Sequence, residues 1–167
     1  MSEQKLGGDW RSKLDVALEF SGTIDLVGVG NSIRGDDGVG IEIASSLRRK
    51  LRGAGGLKVH PTAQMPERLL SKLASTAQRV ILFDAVEVDR PPGTIVCRKL
   101  GESRHGFFAT HNVPLNLVPG LSARLDDFYV VGVQPESLEV KEGISQTARA
   151  AAGTIVEFLV ARSEARR

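Results

Sequence analysis

Four side chains stand out as candidates for chemistry. Asp36 and Asp37 adjoin in GVGNSIRGDDGVG, Asp84 follows the apolar run VILF, and His111 lies in FATHNVPLNLV. Two carboxylates and an imidazole brought together from distant loops suit a borderline divalent metal such as nickel or zinc, and they leave coordination positions open. Spacing alone does not assemble that set, because the chain has no HExxH helix and no CxxC pair.

Each of these residues also has a plainer use. One aspartate of the adjacent pair can cap the helix that begins near Gly38. Capping explains one carboxylate and not two, so Asp36 is expected to cap or brace the loop while Asp37 points outward as a ligand. Asp84 could close a turn, yet a charge directly after VILF is costly to bury unless it meets a cation or several hydrogen bonds. Singly, His60, His105 and His111 each read as structural or solvated. Gly28 and Gly30 hint at a dinucleotide fingerprint, but Ile33 stands where the third glycine is required. The acidic pair would also repel a pyrophosphate, so a cation is the better guest. Cys97 falls inside an expected strand and reads as a core thiol, and no GxSxG elbow is present.

The elements that must position these groups follow from the hydrophobic pattern. Ile24 to Val29 is a short, β-rich run followed by a helical pattern through Ile43, Ala44, Leu47 and Leu51. A strand at Leu57 to His60, a helix near Glu67 to Ala74 and the apolar strand Arg79 to Phe83 complete a β-α-β-α-β unit. Helical crossovers make such strands parallel. The loop Glu87 to Gly93 is too short for a crossover, so the strand Thr94 to Leu100 is expected to be antiparallel. A helix around Asn112 to Leu117, a strand Phe128 to Val133 and a last helix through Ile144, Ala148, Ala151, Ile155 and Leu159 follow.

The expected fold is α/β: a three-layer sandwich with a mostly parallel, twisted sheet of about five strands and helices on both faces. Residues 1–23 form an N-terminal extension in which Asp9 could cap a short helix with Trp10, Leu14, Ala17 and Leu18 on one side. Residues 24–162 form a single domain, and 163–167 a basic tail. If the strands before Asp37 and Asp84 are central and parallel, both carboxylates open on the same edge of the sheet.

Composition excludes several classes. The 167 residues suit one domain, and 41% hydrophobic with 25% charged residues is ordinary for a globular protein. A formal charge of +2 argues for neither nucleic acid nor an anionic membrane as partner. No apolar run is long enough to span a bilayer. A single cysteine and the absence of a secretory pattern at the start point to a reducing, cytoplasmic setting.

GVGNSIRGDDGVG, LFDAVEVDRPPGTI, THNVPLNLV and VVGVQPESLEVKEGIS, in that order, resemble the hydrogenase maturation proteases, peptidases that trim the C-terminal extension of the large subunit of nickel-iron hydrogenases. The resemblance spans most of the chain. Carried over residue by residue, it places the metal-binding set on Asp37, Asp84 and His111. It implies that nickel arrives with the large-subunit precursor and is recognised there, rather than being held permanently by the protease. Between the second strand and second helix, VHPTAQMPERLL departs from the glycine-containing turn of commoner members, which bears on substrate preference. A monomer is expected to suffice for a large folded partner. The competing readings are a related processing peptidase acting on another protein, a noncatalytic chaperone-like module that holds the precursor, and a nucleotide-binding regulator.

Overall fold

In the computed structural model, residues 9–51, 55–61, 66–76, 79–102 and 118–165 are described. Their order is α1 (Trp10–Leu18), β1 (Ile24–Gly28), a 3-10 turn (Gly35–Gly38) running into α2 (Val39–Lys50), β2 (Leu57–Pro61), α3 (Pro66–Thr76), β3 (Arg79–Ala85), β4 (Ile95–Lys99), β5 (Phe128–Val133) and α4 (Gln146–Ala165). The expected helix around Asn112 to Leu117 lies outside the described residues.

The five strands form one sheet in the order β2-β1-β3-β5-β4. β2, β1, β3 and β5 run parallel, and β4 returns antiparallel against β5. The short β3–β4 connection dictates that reversal, because a parallel return needs a crossover of a dozen or more residues. Alternate side chains of the central strands feed two cores. Ile24, Leu26, Ile81, Phe83 and Val131 pack with α1, α2 and α4, whereas Val27, Val80, Leu82, Phe128 and Val130 pack with Leu70 and Leu73 of α3. This is the three-layer α/β architecture that the alternation of strands and helices predicts.

The segment before the sheet is tied into the larger core. Asp9 caps α1 by accepting from the Arg11 amide at 3.2 Å and the Ser12 hydroxyl at 2.9 Å. Trp10, Leu14, Ala17 and Leu18 are buried. Trp10 meets Phe158 of α4 edge-on at 5.2 Å, and Arg162 clasps the Asp15 carboxylate through two nitrogens at 2.6 and 3.1 Å. At the other end α4 runs through Ala165 with Ser163 buried. The Ser163 hydroxyl donates to the Val160 carbonyl of the preceding turn at 2.7 Å. No helix among the described residues is long and apolar enough to cross a membrane.

One close approach sets the geometry of the carboxyl edge. α2 is pressed so tightly onto β1 and β3 that a Cβ at Gly40 would run into the carbonyl oxygens of Phe83 and Val29, and one at Gly28 would strike Gly40 and Ala44. Gly28 therefore serves helix-on-strand packing, a use that needs no bound phosphate. Gly40→Ala is expected to destabilise by at least about 2 kcal/mol, since the obstacles are backbone atoms that cannot rotate away. The urea midpoint of the purified variant measures this. An unchanged midpoint would show that α2 is free to lift off the sheet.

Candidate functional site

β1 and β3 are neighbours and parallel, so the chain leaves both at one edge. The amide of Val29 donates to the Phe83 carbonyl at 3.0 Å and carries the pairing one residue past β1. At Gly30, φ of +140° turns the backbone where a Cβ would collide with the Asp37 carbonyl. The loop closes on itself: the Asn31 amide donates to the Asp37 carbonyl at 3.1 Å, and the Asp37 amide to the Arg34 carbonyl at 3.1 Å. The 3-10 turn that carries Asp37 packs against β3.

That packing corrects two expectations. Asp37 does not point outward; it is only 2% exposed, and the whole GDDG turn is buried. Asp84 does not follow its strand but is the penultimate residue of β3, paired in register with Gly132 of β5 and fully buried. The strand runs longer because β5 continues pairing through Ala85 and Val133. One Asp84 oxygen accepts from the Ala85 amide at 2.8 Å. Two carboxylates thus lie at the carboxyl edge of adjacent strands, shielded from water, where a charge interacts far more strongly with a cation than at an exposed surface.

Asp36 takes the bracing role and not the capping one. Gly38 stands at the cap position just before α2, which has no side-chain cap. Instead Asp36 reaches the late segment: Oδ1 accepts from the Ser145 amide at 2.5 Å, and Oδ2 from the Ser145 hydroxyl and the Glu136 amide, both at 2.8 Å. Ser145 in turn caps α4 by accepting from the Ala148 amide at 3.1 Å. The Gly35 amide donates to the Lys141 carbonyl at 2.8 Å and the Asp36 amide to the Ser137 carbonyl at 3.1 Å. The acidic loop and the PESLE segment are therefore one unit, a link that a separation of about a hundred positions hides from sequence periodicity.

His111 and His105 lie outside the described residues. Among the described residues, no three His, Cys, Asp or Glu side chains are grouped closely enough to hold a metal ion. His60, read as structural or solvated, has a partner the sequence did not suggest: its Nε2 lies 2.6 Å from Oδ1 of Asp25, which is buried in β1. The available signal was Asp25 itself, a carboxylate interrupting the apolar run of IDLVGV.

Cys97 is not an available nucleophile. It is 2% exposed, and burial pushes its thiol up to about 12, with the Lys13 ammonium opposing and the Glu102 carboxylate reinforcing. At neutral pH such a thiol holds roughly a thousandth of the thiolate of an ordinary cysteine. Iodoacetamide should leave the native chain unmodified over a time that fully labels it in denaturant, as read by intact mass. Rapid native labelling would contradict the burial.

With this geometry in place, comparison with known proteins gives a consistent result. A family model described as hydrogenase maturation protease matches residues 41–162, a span that includes Asp84 and His111 and begins just after Asp37. A putative hydrogenase maturation protease of Methanocaldococcus jannaschii is 27% identical over 142 residues, covering 81% of this chain and 92% of that protein. The hydrogenase expression/formation protein HoxM of Azotobacter vinelandii is 27% identical over 150 residues, covering 82% of this chain and 72% of its own length. Among solved structures, the [NiFe] hydrogenase maturation protease HycI of Thermococcus kodakarensis superposes with a TM-score of 0.77 at 23% identity, covering 90% of this chain and 98% of that one. The endopeptidase HycI of Escherichia coli superposes with a TM-score of 0.64 at 26% identity, covering 81% of this chain and 87% of that one.

Proposed function

From the premise that the chain belongs to the hydrogenase maturation protease family, we infer that it is an endopeptidase removing the C-terminal extension of a [NiFe]-hydrogenase large-subunit precursor. The observation that carries this reading is the pair of buried carboxylates, Asp37 and Asp84, at the carboxyl edge of adjacent parallel strands. In open α/β sheets that edge is where ligands bind.

Nickel enters as part of the substrate. Asp37, Asp84 and His111 recognise the metal already seated in the precursor, so that only a loaded precursor presents its tail correctly. Carboxylate oxygens and an imidazole nitrogen are suitable donors for a borderline divalent ion. Their burial supports selectivity, because a negative site withdrawn from water discriminates sharply between a partner that brings a cation and one that does not. Hydrolysis proceeds without a covalent enzyme intermediate on sulfur, given the condition of Cys97. The enzyme acts as a cytoplasmic monomer on one large folded partner, without nucleic acid or membrane.

The test is to incubate the purified chain with the large-subunit precursor and follow its C-terminal mass. Loss of a short peptide supports the endopeptidase. Stable binding without mass loss would replace it with a chaperone-like holding role.

A further inference from the structure

Among the described residues, three large hydrophobic side chains are exposed: Val16 at 51%, Ile33 at 59% and Val140 at 82%. Single exposed apolar residues are ordinary on a protein surface. Ile33 and Val140 are not single. Arg34 and Lys141 form a parallel bridge, and the Lys141 amide donates to the Ile33 carbonyl at 3.1 Å. Ile33 and Val140 therefore stand side by side, each one residue back from the bridge on its own segment.

The pair is also held in place. Asn31 accepts from the Ile33 amide through Oδ1 at 3.1 Å and from the Arg34 amide through its carbonyl at 3.1 Å, which fixes the turn. The Asp36 carboxylate fastens the segment carrying Val140 to the same loop. Asp37 is four positions along the chain from Ile33, in the turn that this network builds. An apolar ridge is thus mounted rigidly on the loop that bears a site carboxylate.

We propose that Ile33 and Val140 form a docking ridge for the protein substrate, seating an apolar patch of the hydrogenase precursor beside the carboxylates. The proposal rests on the endopeptidase reading and deepens it. A protein whose tail is to reach Asp37 and Asp84 must lie over the rim of that loop, and a pre-ordered apolar pair there loses little freedom when it is covered. Burial of a few well-placed anchors at the centre of an interface carries most of its affinity. The flanking Arg34, Glu139, Lys141 and Glu142 supply both charge signs around the pair, as in a polar rim around an apolar centre.

The test uses the full chain and the purified, nickel-loaded precursor. Ile33→Glu with Val140→Glu should raise KM for trimming on the order of ten- to a hundred-fold, leave kcat at saturating precursor nearly unchanged, and keep the melting temperature of the wild type. Ile33→Leu should retain the wild-type KM. A folded double variant with wild-type KM overturns the ridge and leaves the endopeptidase reading intact. A wild-type chain that does not trim the precursor overturns that reading, and the ridge with it.

Discussion

Asp84→Asn is expected to lower precursor trimming by at least about a hundred-fold while leaving the melting temperature unchanged or slightly raised. The amide has the same shape as the carboxylate and can still accept from the Ala85 amide, as the carboxylate does at 2.8 Å. What it lacks is the charge. A carboxylate with no solvent exposure at the end of an apolar strand is costly to keep unless it is paired, hydrogen-bonded or used in binding. Separate measurements of trimming rate and thermal midpoint distinguish the two roles. Loss of stability with full activity per folded molecule would make Asp84 a structural residue. Because Asp37 and Asp84 are both buried, alanine at either position would also open a cavity, and the isosteric amide is the cleaner probe.

The second large effect falls on Asp36. Asp36→Ala removes the acceptor for the Ser145 amide, the Ser145 hydroxyl and the Glu136 amide at once. Removing the acceptor strands three part-buried neutral donors at about 1 kcal/mol or more each, on the order of 3–5 kcal/mol together. For a domain of this size that is a fall of roughly 6–20 °C in melting temperature. The loss should be local as well as global, since the segment from Glu136 to Ser145 would lose its main tie to the acidic loop. Limited proteolysis is expected to cut that segment in the variant before any other described part of the chain. Ser145→Ala, which removes only the hydroxyl that caps α4 and donates to Asp36, should cost about 1 kcal/mol. If the two variants melt alike, Asp36 is not the tie that the hydrogen bonds indicate.

Much of the fold was legible because its signals are local. Runs such as Ile24 to Val29 and Arg79 to Phe83 are short, apolar and bounded by turn residues, and the short loop before β4 forces its antiparallel return. Asp9 could be read as a cap because capping acts within one turn. The candidate site's surroundings were only partly legible. Residue types pointed to Asp37 and Asp84, but their burial was hidden, because it depends on α2 and the GDDG turn packing onto β3. The choice between Asp36 as cap and as brace turned on Ser145 and Glu136, which no local pattern brings near it. The same is true of Asp25 and His60, joined across two strands whose pairing is a property of the whole sheet.

The most direct measurement compares two samples of one large-subunit precursor, one loaded with nickel and one without, each incubated with the purified chain and followed by intact mass. Trimming of the loaded precursor alone is the predicted result, and it should vanish with Asp84→Asn. Equal trimming of both samples would contradict recognition of nickel by Asp37, Asp84 and His111.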